Sequence, residues 1–334
     1  MSKKSPKLLV TGGAGFIGSE FVRQVLAQGY QVSIFDKITY AGDLERLKKV
    51  KGKFDFHKID VCDEKKVNAA LKKIKPRIVV HFAAETHVDR SILDAQLAAR
   101  TNVLGTQTLV EASRQASVQR FIHISTDEVY GEIEQGQFTE ATPLNPSSPY
   151  SAAKAAGDLM VKAYARTYQF PAIIIRPSNN YGPWQYPEKF MPVIIYKAMQ
   201  NEKIPVYGRG LNVREWLYVA DCARGILTIM EKGKLGEIYN LGSGHEQTNI
   251  DVVNKVLEIM QKPKSLIEFV QDRPGHDLRY SLNYSKLQNE LGWHPQVDFE
   301  SGVRKTIESY RKNKDWLEGK VKYLRSYWEK VYKR

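Results

Sequence analysis

The chain is poor in cysteine: only Cys62 and Cys222 occur in 334 residues, with no CxxC pair and no Cys/His cluster at ligand spacing. That leaves a disulfide framework and a zinc site without support; free, reduced thiols and no metal site are expected. Long apolar runs are missing too. None approaches the roughly 20 residues that a bilayer span needs, and the opening Met1-Ser2-Lys3-Lys4-Ser5-Pro6 has no apolar stretch of the signal-peptide kind. The expectation is a globular, cytoplasmic protein that does not engage a membrane. Internal repeats, low-complexity tracts and a flexible linker are also absent, which points to lobes packed closely and built from interleaved chain.

Acidic residues are in deficit, 37 against 50 Lys and Arg, for a formal charge of +13. More than half of that excess lies between Arg304 and Arg334, where eleven Lys/Arg face four Asp/Glu. A local concentration of this kind reads as the solvated face of the last helices. No nucleic-acid-binding motif accompanies it, so nucleic acid is not an expected partner. A positive field would still favour an anionic substrate.

What is present is a sizeable apolar fraction, 42%, enough to bury the core of one large domain or two unequal ones. Short apolar strands at 8–11, 31–36, 54–57, 78–82, 121–125 and 172–176 alternate with helical periodicity over 17–28, 64–74, 103–116 and 151–168. The alternation predicts an α/β fold, a doubly wound parallel Rossmann sheet. Past Pro177 the alternation weakens, and Pro-, Gly-, Tyr- and Trp-rich segments are interleaved with helices near 190–200 and 252–260. The expected division is a mainly dinucleotide-binding domain over 1–177 and a smaller α/β substrate-binding lobe over 178–334, with some chain exchanged between them.

The first strand runs into Gly12-Gly13-Ala14-Gly15-Phe16-Ile17-Gly18, spaced G-x-x-G-x-x-G at the opening of a helix. A side chain at Gly12 or Gly15 would obstruct the turn and hold the backbone away from a pyrophosphate, and Gly18 allows close helix–strand packing. The helix N-terminus adds partial positive charge for the phosphates. Asp36 ends the second strand 18 residues after Gly18, where a carboxylate can bind ribose hydroxyls and repel the extra phosphate of NADP. NAD is therefore expected, although Lys37 stands beside Asp36. Asp60 and Val61 would flank the adenine. Ala83 and Ala84 follow the fourth strand at the edge where cofactors lie, and His87 sits in the next polar loop.

Tyr150 and Lys154 are four apart at the start of a helix and so share a face. An ammonium near a tyrosine favours the phenolate and lowers a pKa that is otherwise near ~10. That effect would let Tyr150 take a hydroxyl proton as hydride leaves a carbon. Thr126-Asp127-Glu128 ends the fifth strand: Thr126 can hydrogen-bond the same hydroxyl, and the two adjacent carboxyls form an acid–base pair suited to eliminating water.

With these residues in place, the glycine turn and Tyr150-x-x-x-Lys154 resemble the extended short-chain dehydrogenase/reductase family. Within it, the likeness is to the dTDP-glucose 4,6-dehydratases. His87-Val88-Asp89-Arg90-Ser91, Ser125-Thr126-Asp127-Glu128-Val129-Tyr130-Gly131, Asn179-Asn180-Tyr181-Gly182-Pro183, Pro187-Glu188-Lys189 and Asp272-Arg273-Pro274-Gly275-His276-Asp277 carry that likeness. The resemblance extends over roughly residues 7–312. It implies C4 oxidation of a hexose with Tyr150 as base and NAD as acceptor, removal of the C5 proton by Glu128, and protonation of the departing C6 hydroxyl by Asp127. Reduction at C6 then closes the cycle without net redox change. Further cofactor contacts are implied at Phe16, Ile17, Thr39, Thr101 and Asn180, and substrate contacts at His87, Asn179, Lys189, Phe190, Pro205, Tyr207, Arg214, Asn249, Arg273 and His276. Arg214 and Arg273 would suit bidentate phosphate contact. The resemblance further implies a homodimer joined through the helices around 103–116 and 151–168.

Two stretches depart from the family pattern, Ala220-Asp221-Cys222 and Glu215; both are expected on the nucleotide side, clear of the catalytic set. UDP-glucose 4,6-dehydration is the nearest rival, because one methyl group is worth only about 1–3 kcal/mol in a pocket. UDP-hexose 4-epimerases and UDP-glucuronate decarboxylases share the Tyr/Lys pair but lack the full Thr-Asp-Glu triplet. A silent NAD-binding scaffold is the reading from another class; intact Asp127, Glu128, Tyr150 and Lys154 oppose it.

Overall fold

The structure, a computed structural model, describes residues 6–332. Among them the strands are β1 (Lys7–Thr11), β2 (Gln31–Phe35), β3 (Phe54–His57), β4 (Ile78–His81), β5 (Arg120–Ile124), β6 (Ala172–Pro177), β7 (Asn179–Tyr181), β8 (Ile204–Tyr207), β9 (Val213–Tyr218), β10 (Ile238–Leu241), β11 (Glu246–Thr248) and β12 (Ile267–Val270). The helices are α1 (Phe16–Ala27), α2 (Glu64–Ile74), α3 (Val88–Leu93), α4 (Ala95–Ala99), α5 (Thr106–Gln115), α6 (Pro149–Tyr168), α7 (Phe190–Gln200), α8 (Val219–Lys232), α9 (Asn249–Met260), α10 (Ser285–Leu291), α11 (Phe299–Lys312) and α12 (Lys314–Tyr332).

Seven strands make one parallel sheet in the order β10-β6-β5-β4-β1-β2-β3. The runs LLV in β1, IVV in β4 and AIII in β6 are apolar on both faces, as a strand covered by helices on two sides requires. On one face α1 and α8 bury Phe21, Val22, Ile226 and Met230. On the other, α2, α5 and α6 bury Val67, Leu71, Leu109 and Val161. The strand order reverses between β1 and β4, and the crevice outside their carboxyl ends is where such sheets hold ligands.

The smaller lobe has its own core, with Ile194, Val253, Val303 and Trp328 among its members, beside two small sheets ordered β11-β9-β7 and β12-β8. The chain crosses between the lobes more than once. After β7 it returns to the main sheet as α8 and β10, and Leu287 of α10 and Trp293 bury themselves in the first core.

The periodic stretch 103–116 is not uniform helix. Its start belongs to a π-helical turn over Arg100–Gly105, a feature that a 3.6-residue pattern does not reveal. The turn allows the Asn102 side chain to bond both backbone groups of Glu85, accepting from N and donating to O at 2.9 Å each.

The two departures from the family pattern are structural, not nucleotide-facing. Glu215 is fully buried in β9 and accepts N–H groups from Ser243, Gly244 and Leu282. Cys222 is fully buried in the first core. Asp221 accepts from Gln296 and Val297 N at 2.9 and 2.8 Å. Glu215→Ala would leave three N–H groups without their acceptor, and unpaired buried donors are expensive. We expect it to destabilise the fold by about 3–5 kcal/mol, read as a lower denaturation midpoint, with Glu215→Gln less affected. A midpoint unchanged in Glu215→Ala would contradict the clamp.

Candidate active site

The glycine turn is shaped by close packing. Gly12 has φ +69°, and a Cβ there would lie 2.6 Å from the Ala83 nitrogen; one at Gly18 would lie 2.3 Å from the Gly12 carbonyl. No side chain caps α1 at Gly15, so the positive end of the helix opens toward the cleft. Asp36 is held at the end of β2 by the backbone N–H of Ala14 (3.0 Å) and Ile38 (2.8 Å). The Lys37 ammonium is turned toward Glu85 (3.5 Å) and Asp60 (3.8 Å), and its charge is answered there. A cradle that any Cβ would fill, an open helix N-terminus and a carboxylate after β2 form a set that fits NAD.

One continuous cleft contains every cofactor-side residue expected from the sequence: Gly12, Gly15, Phe16, Ile17, Gly18, Asp36, Lys37, Thr39, Asp60, Val61, Ala83, Ala84, Thr101, Asn180, Tyr150 and Lys154. Thr126, Asp127, Glu128, Asn179 and Lys189 share its wall.

The Thr-Asp-Glu triplet sits on a 3-10 turn, Asp127–Tyr130, directly after β5. Thr126 caps it through a bond from Glu128 N to its hydroxyl, and Gly131 ends it at φ +81°, where a Cβ would meet the Asn145 carbonyl at 2.2 Å. Asp127 is almost wholly buried. One of its oxygens accepts from the Thr126 hydroxyl at 3.1 Å, and the other is buried without a hydrogen-bond partner among the described residues. Burial, then the charges of Glu128 and Glu215, hold its carboxyl well above the usual range. Burial likewise holds Glu128 above its usual range, with Arg273, Lys189 and Arg214 opposing that rise. Two neighbouring carboxyls thus have environments that push their proton affinities apart.

Helix α6 begins with a capping box between Ser148 and Ser151, Pro149 at its first turn, and Tyr150 N donating to Ser91 Oγ at 3.1 Å. Tyr150 and Lys154 face the cleft together, but their electrostatics differ from expectation. The Lys154 ammonium donates to the Ile124 carbonyl at 2.6 Å. Burial and the Glu128 charge raise the Tyr150 hydroxyl against a hydrogen bond with Thr126. In this arrangement Tyr150 is protonated, and Lys154 does not hold it down. Lys154 is itself lowered to about 8 by burial, with Asp158 opposing.

The substrate-side residues divide. Asn179 carries a buried Oδ1 without a hydrogen-bond partner among the described residues, and Lys189 reaches the Thr86 carbonyl from the start of α7. Arg273 lies 3.9 Å from Asp89. Phe190 stacks on Trp216 at 6.4 Å. His87 is buried, 3.2 Å from the Glu188 carbonyl, and burial holds it neutral. Tyr207 closes β8 against His276, whose ring is 2.6 Å from Asp272 and lowered to about 4 by burial and then Arg273. Pro205 is buried in β8, and Asn249 opens α9 with its N–H on the Asn212 carbonyl. Neither lines the cleft. Arg214 does not line it either: its guanidinium donates to the Asp277 and Val213 carbonyls at 2.8 and 2.7 Å and stacks on Tyr280, so a bidentate phosphate contact is not what it presents.

Two contacts are not among those expected from the sequence, although Arg90 and Glu188 stand within its motifs. Asp158, one turn beyond Lys154 on the same face, is fully buried between Arg176 (2.9 Å) and His123 (3.3 Å); its i+4 spacing was the available signal. Arg90 pairs with buried Glu188 at 2.8 Å and lies over the Tyr40 ring at 3.9 Å. That contact is long-range and left no local trace.

This fold and this cleft define a Rossmann enzyme of the extended short-chain dehydrogenase/reductase class. A family model described as GDP-mannose 4,6 dehydratase matches residues 9–306. The chain is 46% identical to the probable dTDP-glucose 4,6-dehydratase of Sinorhizobium fredii over 93% of its own length and 94% of that protein's. It is 45% identical to the dTDP-glucose 4,6-dehydratase of Streptomyces niveus, over 93% and 95%. The crystal structure of DesIV, the dTDP-glucose 4,6-dehydratase of Streptomyces venezuelae solved with NAD bound, superposes with a TM-score of 0.91 at 45% identity, covering 94% of this chain and 99% of that one. The chain belongs to the dTDP-glucose 4,6-dehydratase family.

Because Asp158 is the charge that supports the Lys154 cation, Asp158→Asn should let Lys154 lose its proton at a pH below the value of about 8 in the parent protein. The sign follows from removing an anion beside an ammonium. The lysine ammonium resonance of nitrogen-labelled protein would report it, and an unmoved titration would exclude Asp158 from that role.

Proposed function

We propose that the protein is an NAD-dependent hydro-lyase that converts dTDP-glucose to dTDP-4-keto-6-deoxyglucose, a precursor for deoxysugars such as rhamnose. The observation that carries this reading is the carboxyl pair in unlike surroundings: burial beside two anions holds Asp127 well above the usual carboxyl range, while three cations oppose the rise that burial gives Glu128. An oxidoreductase or epimerase has no use for an acid and a base placed side by side at the end of β5; elimination of water needs both.

Gly12–Gly18, Asp36 and Lys154 would hold NAD, which would take the C4 hydride and return it to C6, so that no net redox change remains. Tyr150 must first release its own proton; its phenolate then takes the C4 hydroxyl proton, with Thr126 holding the same hydroxyl. The ketone so formed acidifies the C5 hydrogen, and Glu128 removes that proton. Asp127 gives its proton to the C6 hydroxyl, which leaves as water, and Glu128 returns a proton to C5. Lys189 and Arg273, which draw Glu128 toward ionisation, are suited to anionic substrate groups, and Asn179 offers its unpartnered carbonyl oxygen. NAD is favoured over NADP by Asp36 and by a Lys37 already engaged with Glu85 and Asp60.

We assign the protein to the cytoplasm; no helix among the described residues is long and apolar enough to cross a membrane. We also read it as a homodimer. Leu97, Leu104 and Leu159, on α4, the π-helical turn and α6, are 41%, 60% and 55% exposed, and a second copy would cover them.

Incubation with dTDP-glucose, and separately UDP-glucose, should give a product lighter by one water, formed faster from the dTDP sugar. Faster UDP-glucose conversion would transfer the mechanism to that nucleotide, and no mass change with either would end the proposal. Asp127→Asn should slow turnover by about 100-fold or more while reduced cofactor builds up, visible in the near ultraviolet; Tyr150→Phe should block that build-up. For assembly, Leu104→Glu with Leu159→Glu should halve the mass seen by light scattering, whereas an unaltered mass places the interface elsewhere.

A further inference from the structure

The loop that follows Asp36 places an arginine inside the protein. Arg46 stands in a 3-10 turn, Leu44–Leu47, capped by the Asp43 carboxylate on Glu45 N at 2.9 Å, and is only 2% exposed. Its guanidinium reaches three segments. Nη1 donates to the Ala14 carbonyl at 2.9 Å, inside the glycine turn, and to the Ala41 carbonyl at 2.6 Å, on the cofactor loop; Nε donates to the Trp184 carbonyl at 3.0 Å, between β7 and α7. The Asp43 N–H meets the same Ala14 oxygen at 2.9 Å, and the Ala14 N–H is spent on Asp36 at 3.0 Å. Ala14 is thereby fixed through both of its backbone groups. A planar fork with donors in set directions suits this task, and an ammonium does not reproduce it.

All three segments face the cofactor cleft. Gly15, Thr39, Gly42 and Gln185 line it, and so does Arg46. The third segment needs an outside hold, because Trp184 sits at φ +67°, a left-handed state that a bulky residue rarely takes. The arginine charge, moreover, is not answered at contact. Asp43 gives its Oδ2 to Trp316 and Lys320. No carboxylate bonds Arg46 among the described residues, and its Nη2 is buried without a hydrogen-bond partner there. A buried cation without its anion is costly, and an unsatisfied group of this kind calls for a partner. A dinucleotide brings an anion, its diphosphate, to the glycine turn. The same cation favours the carboxylate form of Asp36: burial raises that group, and bonds from Ile38 and Ala14, then the Arg46 charge, oppose the rise.

We propose that Arg46 is a positioning residue for the dinucleotide, tying the glycine turn, the cofactor loop and the segment between β7 and α7 to one another so that the diphosphate cradle is formed before the cofactor arrives. A cradle already in place is cheaper to fill than one that must be ordered on binding. Arg46 acts through Ala14 and, by its charge, across the turn. The inference rests on the NAD reading of the cleft and adds to it a residue outside the glycine motif.

Equilibrium dialysis of the full chain against labelled NAD tests it, with ADP and adenosine as unlabelled competitors. Arg46→Met keeps the apolar stem and removes the fork; it should weaken NAD by about tenfold or more, the scale of lost hydrogen bonds from a charged group. Arg46→Lys keeps a cation without the fork and should weaken NAD by about threefold or more. ADP should lose affinity in step with NAD, whereas adenosine, which has no diphosphate, should lose far less. An Arg46→Met protein that binds NAD as the parent does overturns the proposal, even with a lowered melting temperature, since Arg46 would then serve packing alone. If Arg46→Met does not fold, Arg46→Lys carries the test, and parent-like NAD affinity in that variant overturns the role of the fork. An equal loss for ADP and adenosine overturns the diphosphate cradle. Failure of the parent to take up NAD strikes the cofactor reading itself; failure of the variants to differ from the parent strikes only Arg46.

Discussion

The buried ion network behind helix α6 is the constraint on which the cleft depends. Asp158, with no exposure, is gripped by Arg176 of β6 and faces His123 of β5. Arg176 also donates to the Tyr130 hydroxyl at 2.8 Å, and Tyr130 passes the chain on to Asn240 of β10 at 2.7 Å. One carboxylate therefore links the helix that carries Tyr150 and Lys154 to three adjacent strands and to the turn that carries Asp127 and Glu128. Buried pairs of this kind are weak evidence for stability, since desolvation offsets much of their attraction. Their value here is positional: neither the helix nor the turn can slide without uncovering a buried charge.

That fixed frame explains how two carboxyls adjacent in sequence are held in unlike surroundings. Asp127 points inward, where burial and the charges of Glu128 and Glu215 disfavour a second anion. Glu128 points toward Arg273, Lys189 and Arg214, cations contributed by the second lobe. The return of α8 and β10 to the main sheet makes that opposition durable, because the lobe supplying the cations is threaded into the lobe supplying the acids. A linker-joined lobe could drift; here α8, Leu287 and Trp293 are buried in the core of the main sheet.

Much of this was legible from the chain. The glycine turn, the strand ends at Asp36 and Ser125, and the pair Tyr150 and Lys154 are local patterns whose chemistry is fixed by spacing, and the cleft gathers them as expected. What stayed hidden depends on contacts far apart in sequence. The Lys154 amine turns to the Ile124 carbonyl, a backbone group that no motif advertises, and so the expected lowering of Tyr150 is absent. Arg214 was read as a phosphate ligand from its type, but three dimensions commit it to carbonyls of Val213 and Asp277. Glu215 looked like a nucleotide-side variation and is a clamp on three backbone donors. The π-helical turn at Arg100–Gly105 eludes any reading based on 3.6-residue periodicity.

The overall charge illustrates the same limit from the other direction. More than half of the basic excess lies between Arg304 and Arg334, where Lys312 and Lys314 pair with Glu308 and Glu318 along the exposed face. The cations that act on Glu128 are few and local: Arg273, Lys189 and Arg214. At surface positions such charges are screened beyond roughly 8–10 Å by physiological salt, while partly buried ones keep their reach. A +13 chain and a neutral chain with the same local cations would therefore tune Glu128 alike, and net charge would alter only the rate at which an anion is met.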